Sequence, residues 1–132
     1  MKHEELTGKI IKVYYEVYNE LGHGFLEAVY ERSLRLALVQ AGLQVAPKES
    51  IHVWFRGIVV GQFEPDIIVE NAVILEIKAC RRIDTAHESQ LLNYLRATDI
   101  EVGLLLNFGG EPEFKRMVFD NTRKRRPEPA LG

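Results

Sequence analysis

The amino-acid sequence predicts an α/β domain, a mixed sheet with helices on its faces. Three observations lead there. Apolar residues recur at helical spacing in three stretches, shorter stretches alternate or run continuously with β-branched residues, and the order is helix, helix, strands, helix, strand. No internal repeat or low-complexity stretch interrupts that order.

The first helix is written in Leu6, Ile10, Val13, Tyr14, Val17 and Leu21, and Gly22 stops it. A second runs from about Phe25 to Ala41 and ends at Gly42. It carries two neighbouring stripes: Leu26, Val29, Ser33, Leu36, Ala37 and Gln40, and then Glu27, Tyr30, Leu34 and Leu38. The second stripe puts a carboxylate at the start of an apolar face. That carboxylate, Glu27, is equally well explained by a helix N-terminus, which favours negative charge.

From Ser50 to Gly61 the residues alternate and are rich in β-branched and aromatic types, with Gly57 marking a turn or bulge between two strands. Core packing is expected for at least one of Trp54 and Phe55. Phe63–Val69 and Val73–Ala79 read as two more strands, paired as a hairpin. Asp84 to Glu88 offers an N-cap and a Thr85-x-x-Glu88 capping box for a helix reaching about Ala97. Glu101–Phe108 is the last clear strand; Gly109, Gly110 and Pro112 then break the chain before a short apolar piece, Phe114 to Phe119.

The hairpin register has a consequence for chemistry. Side chains alternate across a strand, so Glu64, Asp66 and Ile68 share one face, as do Ile74, Glu76 and Lys78. Burying the apolar set requires partners whose numbers sum to an even value, such as Asp66 opposite Glu76. A two-residue loop at Glu70-Asn71 gives the wrong parity, so an odd-length loop or a bulge is expected, with Asn71 or its neighbour left-handed. Asp66, Glu76 and Lys78 then share a face. Two adjacent carboxylates on an apolar sheet repel and lose hydration unless a cation compensates, and hard oxygen ligands suit Mg²⁺ or Mn²⁺. Lys78 is positioned to stabilise a phosphate or orient a water. The alternative is a solvated face with a Glu64–Lys78 cross-strand pair.

Composition narrows the classes. With 17 basic and 19 acidic residues the net charge is −2, so no global positive field advertises nucleic acid and any contact must be local. Local candidates are Lys78, Arg81 and Arg82, and a late cluster of Lys115, Arg116, Arg123, Lys124, Arg125 and Arg126. Cys80, the single cysteine, excludes an internal disulfide and any multi-cysteine zinc site. No apolar run is long enough to span a bilayer, and the first residues lack a signal peptide's apolar stretch, so a cytoplasmic protein is expected. Residues 1–120 are expected to form one domain, and 121–132 a basic, proline-containing tail. Dimerisation through the first helix or the last strand's edge is compatible with this reading.

Pro65-Asp66, followed after nine residues by Glu76-Ile77-Lys78, resembles the PD-(D/E)XK signature of restriction-endonuclease-like nucleases. The likeness extends to the GxxExxY family, through Gly24-Phe25-Leu26-Glu27-Ala28-Val29-Tyr30, Val73 to Ala79, His87, Gln90 to Thr98, and Gly103 to Gly109. It covers roughly Gly22 to Phe119. The resemblance implies an α-β-β-β-α-β core with an extra N-terminal helix and a mixed central sheet. It further implies that Glu27, Asp66 and Glu76 hold Mg²⁺ or Mn²⁺ and that Lys78 is the catalytic lysine. Gln90 and Tyr94, one helical turn apart, resemble the Gln-x-x-x-Tyr element beside the metal in some of these nucleases. They read equally as the edge of the Leu91, Leu92 and Leu95 stripe. His87 reads as a helix-start surface residue before a metal ligand; His23, between glycines, is open. The implied activity is hydrolysis of nucleic acid, DNA ahead of RNA, and the alternative is a catalytically silent binding module on the same fold.

Overall fold

The computed structural model describes residues 2–124. Of the expected tail, Asn121–Arg123 form a short 3-10 turn, and residues 125–132, Arg125 and Arg126 among them, lie outside the described residues. Helices α1 (Glu4–Leu21) and α2 (Glu27–Gln40) come first. Each buries one face: Ile10, Val13, Tyr14 and Val17 on α1, and Tyr30, Leu34 and Leu38 on α2. The α2 stripe that begins at Glu27 is therefore the inward one, while Leu26, Val29 and Leu36 of the other remain exposed.

Strands β1 (Ile51–Phe55) and β2 (Ile58–Phe63) form an antiparallel hairpin closed by Arg56 and Gly57. Both turn residues have positive φ, 49° and 79°, as a two-residue turn needs if it is to follow the strand twist. The hairpin is a sheet of its own. Core packing of Trp54 or Phe55 is accordingly not found: Trp54 is half-buried outside both apolar clusters and Phe55 is 53% exposed. Neither strand joins the main sheet, so no helix layer is held against them.

The expected strand from Phe63 to Val69 is split. β2 ends at Phe63, and β3 is only Ile67–Val69, with Pro65, which has no N–H to donate, in the gap. β3 pairs with β4 (Val73–Lys78) as Ile67↔Leu75, Ile68↔Ile74 and Val69↔Val73, the even-sum register that burial demands. The loop between them is three residues long, and Glu70 and Asn71 both have positive φ, 54° and 52°.

Helix α3 (Thr85–Arg96) crosses over to β5 (Val102–Asn107), parallel to β4, and β6 (Glu113–Val118) pairs antiparallel at the edge. The short apolar piece from Phe114 is thus a strand. The sheet order β3-β4-β5-β6 is mixed, with its two central strands buried on both faces. α1 and α2 cover Ile67, Val69, Val73, Leu75 and Ile77, while Leu91 and Leu95 of α3 pack with Ile74 and Leu105 on the other face. Gly103 permits that approach, since a Cβ there would lie 2.8 Å from a Leu91 methyl. The capping box on α3 differs from expectation. Asp84 caps Ala86 and His87, and the His87 ring accepts the Asp84 N–H at 3.3 Å, because the helix starts at Thr85 and makes His87 its third residue. Among the described residues no helix is long and apolar enough to cross a membrane.

Candidate active site

The last ladder pair between β3 and β4 is Ile67↔Leu75. Beyond it, side chains take over from the backbone. Asp66 Oδ2 accepts the Ile77 N–H at 2.7 Å, and Glu76 Oε2 accepts the Asp66 N–H at 2.9 Å. Each carboxylate thus spends one oxygen locking the other's strand and keeps a second oxygen for a ligand. Both lie on the α3 face of the sheet, with Ile68 and Ile74 behind them as the apolar floor.

This placement costs the charged forms. Burial, then the Asp66 charge, push the Glu76 carboxyl up to about 7, against the Asp66 N–H and Lys78, which favour ionisation. Asp66 is also raised, first by burial, while the Ile77 N–H opposes the shift and Glu31 adds to it. Glu76 is 5% exposed, which excludes the solvated-face alternative. Glu64 pairs with Lys48 at 3.6 Å instead of bridging to Lys78. Lys78 is half-buried two residues along from Glu76, and its charge reaches both carboxyls.

The sequence profile of the PD-(D/E)XK nuclease superfamily matches residues 4–117. The chain belongs to that superfamily. Neither the curated proteins nor the solved structures compared with it gave a match. Pro65 and Asp66 stand at the head of β3, and Glu76 and Lys78 lie on β4.

Such nucleases generally use Mg²⁺ or Mn²⁺. Among the described residues, no three His, Cys, Asp or Glu side chains are gathered closely enough to hold a metal ion. The donor set present is the Asp66–Glu76 pair, and two carboxylates leaving positions for water and phosphate are what a hard divalent cation accepts. The structure does not bring Glu27 to this pair. As the first residue of α2 it is exposed, and the α2 carboxylate whose charge is felt at Asp66 and Glu76 is Glu31, one turn on.

Tyr94 does reach the site's border. Its ring stacks on Phe63, centroids 3.9 Å apart and planes within 2°, and burial followed by the Glu76 and Asp66 charges raises its hydroxyl's pKa. Gln90, one turn earlier on α3, is exposed. His87 is occupied in capping α3, and His23 is exposed in the α1–α2 loop.

Beneath Lys78 the chain is fixed by a buried amide. Asn107, opposite Lys78 in the parallel ladder, accepts the Cys80 N–H at 3.0 Å and donates to the Cys80 carbonyl at 2.8 Å. Gly109 belongs to the same clamp, since a Cβ there would sit 2.1 Å from the Cys80 oxygen. The chain next enters a cleft lined by Arg81, Arg82 and Lys115, but also by Asp84, Glu88, Glu111 and Glu113. The other late basic residues described serve the fold. Arg116 donates to the Lys2 carbonyl, Arg123 lies over the Phe119 ring, and Lys124 donates to the Thr98 and Ile100 carbonyls.

Sequence reasoning missed Glu31, Lys48, Arg35 and Asn107. Glu31 had a signal, since it sits one helical turn after Glu27. Lys48 had none, because its position depends on how the α2–β1 connection is laid down.

Proposed function

We propose that this chain is a metal-dependent phosphodiesterase acting on nucleic acid, DNA ahead of RNA, with Asp66 and Glu76 holding Mg²⁺ or Mn²⁺ and Lys78 as the catalytic lysine. One observation carries the reading. The buried Glu76 and half-buried Asp66 carboxylates lie side by side, each with one oxygen committed to backbone, beside a lysine on the same strand face. A divalent ion there would supply charge to polarise the phosphate and favour ionised water.

The chain's own residues supply the remainder. The mutual backbone bonds keep the two carboxylates from turning away, and the Lys78 ammonium offers charge to a non-bridging phosphate oxygen. We assign to Glu31 the α2 role that the resemblance gave to Glu27. Tyr94 offers a hydroxyl at the border of the site, with Gln90 on the same helix as its companion. Arg81, Arg82 and Lys115 are the side chains available to neighbouring phosphates.

Within the superfamily we further propose membership of the GxxExxY family and a single functional domain over 1–120. The motif has a structural rationale here. Gly24 has φ 112°, and Tyr30 is fully buried, stacked on Phe108 with centroids 4.4 Å apart and donating its hydroxyl to the Gly22 carbonyl. The motif thus fixes the α1–α2 corner.

The test is Mn²⁺ titration by calorimetry on wild type and Asp66→Ala, with cleavage assays on single-stranded, duplex and branched DNA and RNA. Binding lost in Asp66→Ala and cleavage lost in Lys78→Ala are expected. A wild type that binds no Mn²⁺ and cuts nothing would sink the reading and favour a silent binding module.

A further inference from the structure

Lys48 lies outside the signature residues, in the connection between α2 and β1. Residues 44–46 of that connection run along the free edge of β3, where Val45 pairs with Val69 and the Ala46 N–H donates to the Ile68 carbonyl at 3.0 Å. Arg35 of α2 fastens the connection to the site, its two terminal nitrogens donating to the Ala46 and Asp66 carbonyls at 2.8 Å each. Two residues further on, the Lys48 ammonium bridges Glu31 Oε2 at 3.2 Å and Glu64 Oε1 at 3.6 Å.

Ion pairs as exposed as these add little to stability. What sets Lys48 apart is its company. Glu31, Glu64, Asp66 and Glu76 against Lys48 and Lys78 leave a formal charge of −2 when all are ionised, the charge that one divalent ion neutralises. Glu31 is the α2 carboxylate felt by the Asp66–Glu76 pair, yet it is engaged by Lys48, and among the described residues no three His, Cys, Asp or Glu side chains are arranged to hold a metal ion.

We propose that Lys48 is a built-in counter-ion of the site and competes with a divalent cation for Glu31. The ammonium keeps Glu31 on the rim of the Asp66–Glu76 pair, and an ion bound by that pair recruits Glu31 and releases Lys48. The inference rests on the proposed metal-binding role of Asp66 and Glu76. It makes Lys48 a determinant of metal affinity, and it explains how four carboxyls are tolerated together without metal.

The experiment is Mn²⁺ calorimetry and thermal melting of the full chain as wild type, Lys48→Met, Lys48→Arg and Lys9→Met, the last an exposed α1 lysine that controls for net charge. Lys48→Met should bind Mn²⁺ about three- to ten-fold more tightly, the size of one unit charge removed near a divalent ion. The rise in Tm on saturation with Mn²⁺ should be larger in Lys48→Met than in wild type. Lys48→Arg and Lys9→Met should bind like wild type. In a Glu31→Gln background, the gain from Lys48→Met should shrink below about two-fold, because the contested carboxylate is gone.

Unchanged affinity in Lys48→Met, an equal gain in Lys9→Met, or an undiminished gain in the Glu31→Gln background overturns the inference while leaving the metal site standing. If neither wild type nor Lys48→Met binds Mn²⁺, the metal-site reading and the inference fall together.

Discussion

The four-stranded sheet and the β1–β2 hairpin are both rich in β-branched residues, yet their surroundings are opposite. Val73 to Ile77 and all of β5 are buried, whereas Phe55, Ile58 and Val60 are 53%, 64% and 59% exposed. Local pattern made strands of both. Burial depended on whether helices were held against the faces, and the apolar faces of α1, α2 and α3 pack on the larger sheet. The difference bears on function, because the acidic pair and Lys78 stand on the rigid sheet. The hairpin meets the site at its root, where Phe63 stacks on Tyr94. Residues that must hold geometry within fractions of an ångström belong on the packed element.

This contrast can be broken by measurement. Leu75→Ala, in the centre of the buried sheet, should destabilise the protein by ~2–5 kcal/mol through lost burial and a residual cavity, read by urea unfolding. A loss below about 1 kcal/mol would mean that the sheet repacks and is no more rigid than the hairpin.

Glu76→Gln sharpens the contrast through pH. The folded-state pKa of Glu76 lies near 7, above its ordinary 4.5, so folding favours the protonated form. That stability is fully present below pH 4.5 and is lost as the pH rises through about 7. The loss is worth ~3 kcal/mol. Metal-free wild type should therefore be less stable at pH 8 than at pH 5, and Glu76→Gln, which keeps an acceptor for the Asp66 N–H, should lose most of that dependence. An equally steep profile in the variant would point to other groups. For the same reason, Mn²⁺ affinity in the wild type should climb across this interval, since only the ionised pair holds a cation.

The smallest effect is expected on the hairpin. Ile58→Thr keeps the β-branched shape at an exposed position and should change stability by less than about 0.5 kcal/mol. A larger loss in unfolding experiments would show that something covers the hairpin in solution.

The sequence by itself determined the class of fold, the inward face of α1 and the parity of the β3–β4 pairing. Those follow from periodicity, a local property carried by the residues themselves. From parity alone came the most consequential result, that Asp66, Glu76 and Lys78 share a face, and the three-residue loop with left-handed Glu70 and Asn71 bears it out. The break at Pro65 and the capping role of His87 were also within reach of local reasoning and were misassigned, the first by extending a strand through a residue that cannot donate. Tertiary structure alone decided three matters: that the hairpin stands apart from the main sheet, that Glu31 and not Glu27 approaches the acidic pair, and that Lys48 bridges Glu31 and Glu64. Each depends on how separate elements dock. A one-turn difference along α2, or the path of a connection pinned by Arg35, leaves no trace in periodicity, because the energies that select it come from contacts between residues distant in sequence.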